Sequence, residues 1–235
     1  MAISQVDVAV LSDFAGTQSP VMTLPSGLSA GDQLIYMVAS TTSFTTTLLT
    51  DHNRIGTEQD VGTGDAELTW VQYEITGTEG ASITLTNIFN TNEWGAVICT
   101  AWRGVDDTTP IDTSAQSKGN GQNYSGPSIT PSQDDCYIMQ WVASDPSGAV
   151  TGTPDSSPVT TELHDAVSST NRTYCFVQGY QQTTAAALAL DASVSVTDSY
   201  GYFQVALRTA VGGGGTIRRN PFSGPFSRPF SGALG

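Results

Sequence analysis

Hydrophobic and polar residues alternate in short runs along most of the chain, and clusters of Gly, Pro, Asp or Asn separate the runs. An alternation with a period of two is typical of β-strands that bury one face. The runs cover residues 4–12, 32–40, 66–76, 82–87 and 95–104, and then 135–144, 173–183, 187–196 and 200–211. Residues 115–128 are predicted to be a polar loop, and only the short segments 157–169 and 183–190 have a helix-like pattern. The chain is therefore predicted to be all-β.

The strand pattern also repeats itself. PSGLSAGDQLIYMVAS from Pro25 matches PSITPSQDDCYIMQWVAS from Pro127, and WVQYEIT matches FVQGYQQT. A third pair, WGAVICTAWR and YGYFQVALR, ends on Arg103 and Arg208. The three matches keep the same order at a shift of about one hundred residues, which indicates two pseudo-repeats of four strands over about 25–106 and 127–211.

Two architectures are compatible with this duplication: two small separate sandwiches, or one eight-stranded sandwich of jelly-roll character. Four strands leave an open hydrophobic face and are marginal by themselves. The segment between the repeats has no Pro-rich or charge-rich stretch of linker length. These arguments favour a single body over residues 1–211.

The character of the sequence changes after that body. Gly212–Gly215 predicts a hinge, and a Pro-Phe-Ser unit then occurs three times in residues 212–235. Proline prevents a regular helix or a central strand, so the segment is expected to be an extended arm. The body holds 22 acidic and five basic residues, whereas the arm holds three arginines and no acid. The arm is predicted to bind a partner through Phe222, Phe226, Phe230, Arg218, Arg219 and Arg228.

The overall charge restricts the partners of the protein. Only 13% of the residues are charged, and the formal net charge of −14 disfavours binding to nucleic acid or to an anionic membrane. The chain shows no signal-peptide pattern and no run of 18 apolar residues, so synthesis in a cytoplasm is expected. Cys99, Cys136 and Cys175 have no metal-ligand spacing and are predicted to be buried thiols.

Residues that could perform catalysis are few. His52 and His164 each adjoin an aspartate but are interpreted as loop residues on a polar surface. Two Asp- and Gly-rich segments, 60–67 and 145–157, lack calcium-loop spacing and are interpreted as solvated turns. No metal or other cofactor is expected, and a hydrolase is the least favoured class.

The aromatic residues allow a further class, a carbohydrate-binding module. Such a module would expose Trp or Tyr side chains in a row, and substitution of Trp102 or Tyr124 would then abolish its glycan binding. Packing in the core is nevertheless the prediction for all four tryptophans, Trp70, Trp94, Trp102 and Trp141, because each lies within or at the start of an alternating run.

Four short motifs resemble a family of β-sandwich proteins from tailed bacteriophages. They are Gly31-Asp32, the stretch from Trp94 to Asp106, Pro110–Asp112 and Val205–Arg208. The resemblance covers roughly residues 25–211 and implies a non-enzymatic virion component, either a head decoration protein or a protein of the tail or fibre. Other virion proteins and further copies of the chain are then the expected partners. A tail or fibre protein that recognises a host glycan is the alternative.

Overall fold

The computed structural model describes residues 2–41, 46–61, 67–144, 150–167 and 173–210. Within these ranges every regular element is a β-strand, which confirms the all-β prediction. Six strands form an N-terminal sheet and six others form a C-terminal sheet, both antiparallel. Two short strands pair separately.

The N-terminal sheet has the strand order β1-β8-β4-β6-β5, and β2 pairs with β8 as well. Its strands are β1 (Ser4–Gln5), β2 (Val10–Thr17), β4 (Gln33–Ser40), β5 (Asn53–Asp60), β6 (Glu67–Glu74) and β8 (Glu93–Arg103). The separate pair consists of β3 (Val21–Thr23) and β7 (Ser82–Thr84).

The C-terminal sheet has the order β11-β14-β10-β13-β12, and β9 pairs with β14 as well. Its strands are β9 (Ile111–Ser125), β10 (Cys136–Ser144), β11 (Gly152–Thr153), β12 (Thr161–Val167), β13 (Tyr174–Gln182) and β14 (Asp191–Leu207).

The two sheets follow the same order through β8-β4-β6-β5 and β14-β10-β13-β12. Val38 lies between Val97 and Thr69, and Val142 lies between Tyr202 and Phe176 in the same way. Each sheet contains six strands instead of the four predicted for each repeat. All strands of one sheet come from one half of the chain, so the chain passes between the sheets after β8. The finer jelly-roll assignment stays a prediction.

One hydrophobic cluster holds the sheets together as the layers of a sandwich. It combines Met37 and Ile98 of the N-terminal sheet with Trp141 of the C-terminal sheet. The rings of Trp70 and Phe203 stack with their centroids 4.7 Å apart, so the contact crosses from one sheet to the other. Buried aromatic pairs of this kind contribute about 0.5–1.5 kcal/mol beyond the burial of their area.

The outer face of each sheet is covered too. Met22 of β3 packs with Phe14 and Tyr36 outside the N-terminal sheet. Phe176 and Tyr202 belong to a cluster outside the C-terminal sheet. Strands β4 and β10 therefore bury residues on both faces, which explains their almost continuous apolar sequences QLIYMVAS and CYIMQWVAS.

The predicted polar loop at 115–128 is wrong, because residues 111–125 form β9. This strand pairs with β14 at the edge of its sheet, and most of its side chains are exposed or half-buried, so the strand carries no apolar alternation. In the segment 157–169, which has a helix-like pattern, residues 161–167 form the edge strand β12, in line with the all-β prediction. The second helix-like segment, 183–190, contains no helix.

Strand β9 also closes one side of the sandwich against β5. The Gln116 side chain accepts a hydrogen bond from the Thr57 backbone N–H at 2.8 Å and donates to the Thr57 carbonyl at 2.7 Å. A Cβ atom on the adjacent Gly56 would lie 2.3 Å from the Gln116 Oε1 atom. Glycine is therefore required at this contact, where its φ is +75°.

Among the described residues, no helix is long and apolar enough to cross a membrane.

Candidate functional site

The six residues predicted to bind a partner through the arm lie outside the described residues. They are Phe222, Phe226, Phe230, Arg218, Arg219 and Arg228. Their role stays a prediction from the sequence.

Two of the motifs that carry the phage resemblance meet in one ion pair. The Asp32 carboxylate is buried and accepts from the Arg103 Nε atom at 2.8 Å and from its Nη2 atom at 2.6 Å. The Ser29 backbone N–H donates to the same carboxylate at 2.7 Å. The paired geometry is the strong, bidentate form of a charge-assisted hydrogen bond. It fixes the turn before β4 to the end of β8.

The other motif residues continue this contact into the second sheet. Asp106 N donates to the Arg208 carbonyl at 2.8 Å, Arg208 N donates to the Pro110 carbonyl at 2.9 Å, and Ala210 N donates to the Gly104 carbonyl at 2.9 Å. We call residues 103–112 with residues 208–210 the crossover joint. The joint ties the segment that passes between the sheets to the end of the last described strand, so the motifs have an architectural role.

The corresponding arginine of the second sheet has a neutral partner. Arg208 Nε donates to the Gln133 side-chain oxygen at 2.9 Å. Arg103 is the last residue of β8, and Arg208 directly follows β14, so the two arginines occupy matching places in the two sheets. Of the two, Arg103 alone pairs with a buried carboxylate.

The prediction that His52 lies on a polar surface is wrong. Its ring is buried, stacks on the Tyr73 ring at 4.2 Å, and shares a hydrogen bond of 2.6 Å with the Tyr36 hydroxyl. Burial lowers the pKa of His52 below its ordinary value. The neutral ring therefore acts as a packed core residue. His164 lies on β12 and is half-buried, and burial lowers its pKa as well.

The prediction of three buried thiols is confirmed. Cys99, Cys136 and Cys175 are free and buried, and burial raises the pKa of each, that of Cys136 to about 11. In the described part of the chain, no group of three or more His, Cys, Asp or Glu side chains could hold a metal ion. Both Asp- and Gly-rich segments lie partly outside that part.

Three tryptophans are core residues as predicted, and one is not. Trp70, Trp102 and Trp141 are fully buried, whereas Trp94 is 47% exposed. Trp94 faces the same side of β8 as Ala96, but the core cluster ends at Ala96. Trp102 and Tyr124 are both buried, so neither ring can lie in an exposed row on which a sugar would stack.

A ladder of buried glutamines crosses the outer face of the C-terminal sheet. Gln140 pairs with Gln178 of β13 on one side and with Gln204 of β14 on the other. Gln178 Nε2 donates to the Asp191 carbonyl at 2.7 Å, and Gln140 Nε2 donates to the Leu190 carbonyl at 2.9 Å. Alternation within the strands does not reveal this ladder, because a buried glutamine produces the same pattern as a solvent-exposed polar residue.

The ladder supports the walls of a cavity of about 410 Å³ at the edge of this sheet. Asp155 N donates to the Gln178 Oε1 atom at 2.8 Å, and Asp191 N donates to the Asp155 carboxylate at 2.9 Å. The residues that line the cavity include Asn123, Tyr124, Pro154, Asp155, Asp191 and Ser193. Sequence reasoning missed this site, because its residues come from three separate segments without a shared motif.

Comparison with known proteins finds no matching family model, no matching curated protein and no matching solved structure.

Proposed function

We propose that the chain is a non-enzymatic structural component of a tailed-phage virion that decorates or cements the capsid. The observation that supports this proposal is the crossover joint. The motifs that resemble phage sandwich proteins form structural contacts at the joint and beside it, through Arg103, Arg208 and the ion pair of Arg103 with Asp32. A body in which the motif residues hold the two sheets together is suited to bear mechanical load within an assembly.

The arm would attach this body to neighbouring subunits. It follows Ala210, which is hydrogen-bonded to the joint, and at ~3.3 Å per residue its 24 residues reach at most ~80 Å. Each phenylalanine buried in a partner's groove contributes roughly 1.5–3 kcal/mol. The three arginines would meet acidic surface, either on capsid subunits or on a second copy of the negatively charged body.

Deletion of residues 212–235 tests the attachment. The truncated chain is expected to fold but to be missing from purified particles, because the arm supplies the contacts. Two full-length variants separate the contributions: serine at Phe222, Phe226 and Phe230, and glutamine at Arg218, Arg219 and Arg228. The phenylalanine variant should lose incorporation at all salt concentrations. The arginine variant should differ from the unaltered protein mainly at low salt, because high salt screens the arginine charges in the unaltered protein as well. Normal incorporation of the truncated chain would refute the attachment role.

A tail- or fibre-associated protein that binds a glycan is the second candidate. It is favoured by the half-exposed ring of Trp94, which offers apolar surface outside the core. Gold labelling of the protein in purified particles distinguishes the two candidates, since the first predicts label on the head and the second predicts label on the tail.

A further inference from the structure

The cavity at the edge of the C-terminal sheet is bounded by three segments. Residues 123–125 end β9, residues 191–193 begin β14, and residues 153–156 follow from β11. β9 pairs with β14 from Asp191↔Ser125 to Ser193↔Asn123, and β11 pairs with β14 at Thr153↔Ser193. The walls are therefore joined by backbone hydrogen bonds and not by loose loops.

The chemistry of the lining is polar and lacks positive charge. Asn123 supplies an amide, Ser125 and Ser193 supply hydroxyls, and Asp191 supplies a carboxylate. Pro154 adds an apolar ring to this surface. This lining offers hydrogen-bond donors and acceptors beside one small apolar surface, which an uncharged polyhydroxylated ligand can match.

Two observations show that the site is built before a ligand arrives. Asp155 is fully engaged, since one carboxylate oxygen accepts from Ser157 N at 2.9 Å and the other accepts from Asp191 N at 2.9 Å. Gln178 holds both walls through Asp155 N and the Asp191 carbonyl. A preformed site reduces the cost of ordering side chains on binding.

The composition of the lining disfavours a metal ion. Ca²⁺ takes six to eight oxygen ligands, and among the described residues no group of three or more His, Cys, Asp or Glu side chains could hold one. Within the described residues the Asp191 side chain accepts no hydrogen bond, so one carboxylate remains for a ligand. One carboxylate suits the hydroxyl donors of a sugar better than a divalent cation.

Tyr124 adds a fixed part to the wall. It lines the cavity and is 1% exposed, and the centroid of its ring lies 3.9 Å from that of the Tyr200 ring. The wall at this point is therefore held by core packing.

We propose that this cavity binds one neutral pyranose unit of a glycan, with Asp191 and Asn123 as its hydrogen-bonding residues. Asp191 accepts from adjacent sugar hydroxyls, and the Asn123 amide both donates and accepts. The negative charge of Asp191 excludes anionic sugars. The proposal does not depend on a virion role, because it rests on the cavity alone.

Titration of the full-length protein with single sugars tests the proposal. Glucose, galactose, mannose and N-acetylglucosamine are added separately, and saturable binding is followed by ligand-observed NMR and by calorimetry. At least one neutral sugar is expected to bind with a millimolar Kd. Asp191→Asn and Asn123→Ala should each weaken it by about tenfold or more. N-acetylneuraminic acid, which is anionic, should not bind.

Asp107→Asn is the matched control. Asp107 is an exposed aspartate in the crossover joint, so this variant changes the net charge equally but leaves the cavity intact. It should bind as the unaltered protein does, and circular dichroism should show that all variants are folded. The proposal is overturned if no neutral sugar saturates, if Asp107→Asn weakens binding as much as Asp191→Asn, or if CaCl₂ binds at the cavity in place of a sugar.

Discussion

Replacement of Arg103 by Met tests whether the ion pair in the crossover joint stabilises the fold. The Asp32 side chain is 3% exposed, so loss of its partner leaves a buried carboxylate held by Ser29 N and little else. Removing one partner of a fully buried pair costs about 3–5 kcal/mol. The Arg103 side chain is 46% exposed, and solvent screening lowers the expected cost to about 2–3 kcal/mol.

Urea unfolding followed by tryptophan fluorescence measures this cost, because Trp102 precedes Arg103 and is fully buried. A loss of about 2–3 kcal/mol shifts the unfolding midpoint by roughly 1 M urea at an unchanged m value. Arg208→Met is the matched control. It breaks a hydrogen bond to the neutral Gln133 side chain and should cost about 1 kcal/mol.

A double-mutant cycle identifies the cause of the effect. In an Asp32→Asn background the buried charge is absent, so Arg103→Met should cost about 1 kcal/mol instead of 2–3. If Arg103→Met costs no more than Arg208→Met, or if its cost is unchanged in the Asp32→Asn background, the buried charge of Asp32 does not cause the effect.

Two further predictions concern stability. A Cβ atom on Gly95 would lie 1.9 Å from the Ala39 carbonyl oxygen, so Gly95→Ala should lower the free energy of unfolding in urea by more than about 3 kcal/mol. A Cβ atom on Gly80 would have nothing within 4 Å, so Gly80→Ala should change that free energy by less than about 0.5 kcal/mol. Equal effects would contradict the packing of β8 against β4. Burial lowers the pKa of His52, so its neutral form is stabilised in the folded protein, and stability should fall as the pH drops below the unfolded value of about 6.5. His52→Gln should reduce that pH dependence between pH 7 and 5, and an unchanged slope would show that His52 does not contribute.

The sequence predicts best the strands that are buried on both faces. Strands β4, β8 and β10 carry long apolar runs because the shared core covers one face and a second cluster covers the other. Their positions were predicted to within a few residues. The edge strands β5, β9 and β12 were not predicted, because an edge strand in contact with solvent keeps polar side chains on much of its surface.

The candidate site could not be predicted for a different reason. Asn123, Asp155 and Asp191 lie far apart in the chain, and only the pairing of β9 and β11 with β14 brings them to one cavity. His52 shows the same limitation in the core. Its sequence neighbours are polar, and its burial depends on Tyr36 and Tyr73 from other strands.

The amide of Gln116 has a consequence for how this molecule can aggregate or polymerise. By occupying both the donor and the acceptor of Thr57, it takes the place that an incoming strand from another molecule would need on β5. Strand addition from another molecule is thereby hindered at Thr57. Copies of the chain at high concentration are then less able to pair edge to edge through this part of β5.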